Sequence, residues 1–331
     1  MAVVEASASA ERAIRTRRPR KPASAITRQD RVGLFYVAPF FVHFVTFGAI
    51  PIVFTTALAF FNFDWSTYYD FLDTRKLSVL TNAFAGLENF RELVADPYFW
   101  LAMRNTFSIW LISTVPQLIV AFGLASLLAN FRLKGSTFWR TMLMVPNITS
   151  VLAVAIVFQQ LFGRDFGMVN VLLHYLHINP IEWVAGVIPS HFAIATMINW
   201  RWLGYNSLIF LAAILAIPRE LYESAALDGA NRWQVVRYVT VPQLKNTITF
   251  MLIMGTIGGL GLFVEPLTYG GLDGGANSQF LTLTLYLFKQ MQVNQRLGYA
   301  AAVGVGITIV VIVISVINFL ITRRIAGEDS K

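Results

Sequence analysis

The 331-residue chain has no cysteine and little charge. Without a thiol there is no disulfide, no thiolate metal site and no cysteine nucleophile, and the redox compartment is left open. Asp, Glu, Lys and Arg together make up 13% of the chain, about half the ~25% of an ordinary soluble domain. So few charges cannot clothe the two soluble domains that the length alone suggests, which excludes a cytosolic enzyme as the default. Histidine is scarce too. His174 and His177 are spaced i, i+3 with only Asp165 and Glu182 nearby, and His43 and His191 stand apart, so no metal site is expected. No Gly-x-x-x-x-Gly-Lys-Ser/Thr occurs, so the chain does not hold ATP by the usual phosphate-binding loop. What is plentiful is apolar: 56% hydrophobic residues, with 27 Phe that exclude disorder, and 22 Gly and 12 Pro that exclude a simple coiled coil. This is the composition of an integral membrane protein.

A bilayer core about 30 Å thick takes roughly 20 apolar residues of helix. Charge-free stretches cover 32–63, 105–131, 141–163, 246–264 and 297–322, and 183–218 is interrupted only by Arg201. They predict an all-α polytopic fold with six transmembrane helices, at about 34–62, 104–130, 141–162, 187–217, 246–264 and 299–322. Each helix satisfies its own backbone hydrogen bonds in lipid. The uncharged segment 274–288 is short and rich in Thr, Gln and Asn. It reads as re-entrant or interfacial, with a seventh span as the alternative.

Of the 26 Lys and Arg, 18 lie before the first span, after the second, between the fourth and fifth, or after the sixth. The loop 64–100 carries six acidic residues against three basic ones. By the positive-inside rule both termini are cytoplasmic, which requires an even number of spans. The tail 1–31, with Arg12, Arg15, Arg17, Arg18, Arg20 and Lys21 among Ala, Ser and Pro, reads as disordered, a topology signal resting on anionic headgroups. The segment 324–331 is a short cytoplasmic tail. Nucleic acid is not an expected partner.

The loop 218–242 between the fourth and fifth spans is far longer than a connector needs to be. Residues 220–227 favour helix, with acids in the first turn that suit the helix dipole. Asp228-Gly229 signals a turn in which Gly229 can take a positive φ. A second short helix, 231–238, then presents Trp233, Val236 and Val239 on one face, and Pro242 lets the next span begin. The result is a helix–turn–helix that projects from the membrane.

This loop resembles the EAA loop of bacterial ABC importer permeases, in the run Glu223-Ser-Ala-Ala-Leu-Asp-Gly-Ala230. Glu223, Ala225, Asp228, Gly229, Ala230 and Pro242 match its pattern, whereas Ser224, Val236 and Asn246 depart from it. Trp200-Arg-Trp-Leu-Gly-Tyr205, Ile217-Pro218 and Leu283-Thr-Leu-Tyr286 are similar to the carbohydrate branch, the maltose, lactose and cellobiose permeases. The resemblance runs from about residue 34 onward. It implies that the loop couples to a cytoplasmic ATPase, and that the chain is half of a permease heterodimer. The other implied partners are two ATP-binding subunits and an extracytoplasmic sugar-binding protein that docks on loop 64–100. ATP and Mg then belong to the partner ATPase, and this chain carries no cofactor and is no enzyme. The implied location is the bacterial cytoplasmic membrane, and the implied substrate is a di- or oligosaccharide.

The resemblance also implies substrate contacts at Trp200, Leu203, Gly204 and Ser207 of the fourth span and at Gly255, Gly258 and Gly259 of the fifth. At the three glycines the maltose permease carries Ser, Phe and Asn, so the glycines mean either a wider cavity or close helix packing. Sugar stacking falls to Trp200 or Trp202. Arg201 must pair inside unless its helix starts nearby, and Glu265, next to Pro266 at a helix end, is either a functional intramembrane charge or faces headgroups or the outer loop. Another small solute (a polyol or glycerol phosphate) is the alternative cargo. An ion-coupled secondary transporter is the competing class, but neither an internal repeat nor an intramembrane carboxylate pair is present. A membrane-embedded enzyme would need clustered His, Asp or Glu at one membrane face, and these are lacking.

Overall fold

The computed structural model describes residues 28–130 and 135–325. The basic cluster from Arg12 to Lys21, the loop cations Arg132 and Lys134, and the tail from Ala326 lie outside the described residues. Residues up to Phe54 form a unit of their own. It contains helix α1 (Arg28–Phe44), a five-residue π turn (Val45–Ala49) and the start of α2 (Ile50–Leu58). The helix therefore begins inside the stretch expected to be tail. Its π turn has a local cause: Pro51 has no N–H to give to the turn before it, and Ile50 donates instead to the Val45 carbonyl five residues back.

The second unit, from Thr55 onward, has no strand among its described residues: helices are joined by turns, with one isolated bridge pairing Phe61 with Phe84. Three short helices come first: α3 (Trp65–Thr74), α4 (Leu77–Asn82) and α5 (Glu88–Ala95). Then follow α6 (Pro97–Asn130), α7 (Ser136–Ile148), α8 (Val151–Leu161), α9 (Met168–Tyr175) and α10 (Val187–Leu215). The loop after α10 holds α11 (Arg219–Leu227), α12 (Arg232–Val235), a second π turn (Val236–Thr240) and α13 (Val241–Gln243). The chain ends with α14 (Lys245–Leu260), α15 (Val264–Gly270), α16 (Leu283–Gln292) and α17 (Leu297–Ile325). Four helices are long and apolar enough to cross a membrane, or up to six if each of two bent pairs counts as one span.

Contacts give the running direction of the long elements. Ser108 meets His191 and Gln117 meets Asn206, so α6 and α10 run parallel. Gly255 lies against Thr114 and Gly259 against Trp110, so α14 runs opposite to α6. Leu143 abuts Gly204 while Phe162 packs on Trp183, so α7 and α8 together run opposite to α10. Asn318 bonds to Thr256, whereas Gly306 lies beside Phe99 at the start of α6, so α17 runs with α6. Successive long segments thus alternate, as a polytopic chain must.

Three boundaries differ from expectation. The second helix begins at Pro97 rather than near 104, because Asp96 Oδ1 accepts from the Tyr98 N–H at 2.8 Å and proline suits the first helical position. The expected third span, 141–162, is two helices bent by 88°, broken where Thr149 and Ser150 take extended backbone. The fifth stops at Leu260 and restarts at Val264. The segment 274–288 is no seventh span, since α16 has only 10 residues, about half a crossing. The turns before it are strapped onto α6 and α10 instead. Asn105 donates to the Ser278 and Leu281 carbonyls, His191 Nε2 lies 2.8 Å from the Gln279 carbonyl, and Phe280, Leu281 and Leu283 are fully buried.

Helices in lipid gain little from hydrophobic contact with one another, so close backbone approach is what holds them together. At Gly204 an added Cβ would lie 1.9 Å from the Leu143 carbonyl oxygen, and at Gly298 1.8 Å from that of Phe61. At Gly258 nothing lies within 4 Å. Gly204→Val is therefore expected to cost about 3 kcal/mol or more by overpacking, seen as a lowered Tm and loss of folded protein from the membrane. Gly258→Ala should leave Tm within a degree or two of the parent.

Candidate functional site

Helices α6, α10 and α14 with α15 enclose a cavity of about 450 Å³, within the range of small-molecule sites. From α6 come Ser113, Thr114 and Gln117; from α10 come Ile198, Arg201, Trp202, Tyr205, Asn206 and Ile209. Gly255, Gly258 and Gly259 of α14 form the third wall, and Glu265 of α15 borders the cavity too. Both polar groups and flat aromatic rings face the same space.

Arg201 is the central residue of the 29-residue α10, so no end of that helix is within its reach. It pairs with Glu265, Nη1 to Oε1 at 3.5 Å. Glu265 is only 7% exposed, so of its two alternatives the one facing headgroups or the outer loop is overturned. Just after the break at Gly261–Phe263, the first turn of α15 is buried at Glu265 and Pro266. Gln117 Oε1 accepts from Asn206 Nδ2 at 2.9 Å, while Gln117 Nε2 and Arg201 Nε are buried donors without a partner. The Trp202 ring lies beside the guanidinium, 6.0 Å from ring centroid to Cζ.

The expected contact residues divide in two. Gly255, Gly258 and Gly259 all border the cavity, and Gly255 and Gly259 also carry close contacts with Thr114 and Trp110. Gly255 and Gly259 therefore serve packing and cavity together, and Gly258 borders the cavity without a packing contact. Trp200, Leu203, Gly204 and Ser207 are not among the lining residues. Trp200 packs on Phe158, Leu203 belongs to the apolar core, Gly204 abuts α7, and the Ser207 hydroxyl donates to the Leu203 carbonyl at 2.7 Å. They form one stripe of α10, whereas 198, 201, 202, 205, 206 and 209 form the stripe beside it. Of the two tryptophans considered for sugar stacking it is Trp202 that lines the cavity, and sequence reasoning missed Tyr205, Asn206 and Gln117. The signal available was the polar and aromatic i, i+4 spacing that passes through Arg201.

The loop after α10 has the expected shape. α11 closes in a Schellman turn: Gly229, at φ +74°, donates to the Ala226 carbonyl at 3.1 Å and Ala230 to that of Ala225 at 3.0 Å. Asn231 and Gln234 form a capping box that starts the next helix. A π turn again precedes a proline, with Val241 donating to Val236 just before Pro242. Tyr222 and Thr240 hydroxyls, 3.3 Å apart, tie the two arms, and buried Ile217 and Leu244 anchor both ends in the core. Glu223, Asp228 and Gly229 are exposed, and so are the apolar Leu227 (89%) and Trp233 (71%).

Where α5, α16 and α17 meet, Arg296 forks over Glu92 at 2.6 and 2.5 Å, and Tyr286 and Tyr299 both donate to Asp96 Oδ2. Burial, with the Asp96 carboxylate beside it, pushes the Tyr286 hydroxyl pKa upward. Among the described residues no cluster of three metal-binding side chains occurs.

Alternating long apolar segments around a cavity of mixed polar and apolar lining, with a capped loop between two of its walls, describe a polytopic membrane subunit. Residues 118–327 match the family model described as the binding-protein-dependent transport system inner membrane component, and the chain belongs to that family. It is 34% identical to the lactose transport system permease protein LacF of Rhizobium radiobacter, over 72% of this chain and 81% of the relative. Identity to the arabinooligosaccharides permease AraP of Halalkalibacterium halodurans is 28%, over 93% of each chain. The sulfoquinovosyl glycerol permease SmoG of Agrobacterium fabrum is 32% identical, over 71% of this chain and 75% of its own length. In fold it is similar to a chain of a bacterial ABC transporter involved in the import of the acidic polysaccharide alginate, with TM-score 0.70, 22% identity, and coverage of 90% of this chain and 97% of that one. It is thus a multi-pass inner-membrane permease of the ABC importer class, a kind of subunit that is not itself an enzyme.

Since Trp202 borders the cavity and Trp200 does not, Trp202→Ala should raise the uptake KM for the transported solute by roughly tenfold, about 1.4 kcal/mol. Trp200→Ala should raise it by no more than about twofold. Initial-rate uptake in membrane vesicles checks the pair of values.

Proposed function

We propose that the chain carries a di- or oligosaccharide handed over by an external binding protein, and that it forms one half of a heterodimeric pathway. The observation that carries this is the cavity itself. Sugars offer hydroxyls around flat apolar ring faces, and Trp202 and Tyr205 beside Gln117, Asn206 and Arg201 match both features. The named relatives that move lactose and arabinooligosaccharides support the same choice.

In this reading the six spans put both termini in the cytoplasm, and loop 218–242 lies there too. Two ATP-binding subunits, which hold ATP and Mg, dock on it. Glu223, Ala225, Asp228, Gly229, Ala230 and Pro242 shape the coupling surface, and exposed Leu227 and Trp233 supply its apolar contact, since such side chains are rarely left uncovered in groups. ATP-driven closure of the ATPase pair pushes the loop and shifts the permease between inward- and outward-facing states, a two-state element biased by a ligand. Residues 64–100 form the outer docking surface for the binding protein. This chain holds no cofactor of its own and takes no nucleic acid.

Isolation through a tag on this chain from native membrane, in mild detergent, should bring along an ATPase, a second permease and a binding protein, identified by mass spectrometry. Gly229→Pro, which cannot hold φ +74°, and Glu223→Lys should each reduce sugar uptake by about 100-fold or more, since losing a central interface contact costs several kcal/mol. Both variants should still reach the membrane. Normal uptake in both would falsify the coupling role.

A further inference from the structure

Arg201 and Glu265 are the two charged residues of the cavity wall, and each is nearly buried, with side chains 15% and 9% exposed. Their contact is loose. At 3.5 Å it is longer than a charge-assisted hydrogen bond, and Arg201 Nε has no partner at all. Gln117 Nε2, on the facing helix, is also without a partner. The cavity wall thus pairs a guanidinium loosely with a carboxylate, and its charges sum to zero.

Resting on the saccharide reading above, we propose that the Arg201–Glu265 pair is the charge filter of the cavity: it accepts neutral saccharides and rejects those with a carboxylate, sulfonate or phosphate group. A pair of adjacent hydroxyls can donate to the Glu265 carboxylate while accepting from the Arg201 guanidinium, so a neutral sugar bridges the loose pair and leaves its charges balanced. An anionic substituent has to share the single guanidinium with Glu265. That leaves one uncompensated negative charge in a buried site, which is the costly arrangement. The alginate importer shares the fold and handles an acidic polysaccharide, so the fold does not choose the charge class, and the choice rests with wall residues.

The test is equilibrium binding to the complex purified in detergent through a tag on this chain, with radiolabelled lactose, cellobiose and arabinobiose as neutral probes. Cellobiouronic acid, cellobiose with one hydroxymethyl oxidised to carboxylate, is the charged match. The parent complex should bind at least one neutral probe, and cellobiouronic acid roughly tenfold or more weakly than cellobiose. Glu265→Gln leaves Arg201 uncompensated and should narrow that ratio by about tenfold. The double variant Arg201→Gln with Glu265→Gln removes both charges. It should lose about tenfold in affinity for neutral sugars without gaining the acid, and it decides the matter if the single variant does not assemble. Equal binding of acid and neutral sugar by the parent, an unchanged ratio in Glu265→Gln, or parent-like neutral binding in the double variant each overturns the filter and leaves the saccharide reading standing. If no sugar of either charge binds, the saccharide reading itself falls and the filter with it.

Discussion

How closely helix backbones approach one another sets everything else in this chain. Lipid offers helices almost no hydrophobic reason to associate, so contact area must come from side chains small enough to let backbones meet. Gly204 seats α10 on the α7 backbone, Gly255 and Gly259 seat α14 on α6, and Ala102, Ala121, Ala125 and Ala193 are buried at or near zero exposure. Where this packing is tight the helices are fixed. Where it opens, at Gly258 with no neighbour within 4 Å, the cavity begins.

The cavity and the loop 218–242 are joined by chain connectivity. Two of the cavity walls, α10 and α14, are the helices on either side of loop 218–242, and its ends are anchored through buried Ile217 and Leu244. Any force on the loop therefore acts on both walls at once. The loop is internally tied: a Schellman turn, a capping box and the Tyr222–Thr240 contact hold its arms together. Its π turn, like that before Pro51, places a wider coil next to a proline that cannot donate. In both places the helix keeps its course with one hydrogen bond displaced rather than breaking.

Most of the architecture was legible from charge-free runs, because a segment that must satisfy its own backbone hydrogen bonds in lipid leaves little choice but helix. The helix–turn–helix of loop 218–242 was legible because its signals are local. Gly229 at a turn needing positive φ acts through neighbours in the chain, whereas the Asn231–Gln234 capping box was found only in the structure. Boundaries were less so. Arg104 interrupts the charge-free run yet lies inside α6, and the break at Thr149–Ser150 has no charge to announce it. The cavity was half legible: the three glycines border it, whereas Trp200, Leu203, Gly204 and Ser207 belong to the packing stripe one step around the helix. A shift of about 100° on an α-helix separates the two, and only the neighbours show which stripe faces the space.

The sequence by itself determined that the chain is a bundle of apolar helices with an exposed loop between the last pair but one, since composition, charge spacing and turn chemistry are properties of short stretches. Only the tertiary structure decided that Arg201 meets Glu265, sixty-four positions along the chain. It also decided that Gln117 and Asn206 share a wall, and that the segment after Gly271 straps onto α6 and α10. The physical reason is that a buried polar group must find its partner wherever packing brings one, and that choice depends on the approach of whole helices rather than on any local run of residues.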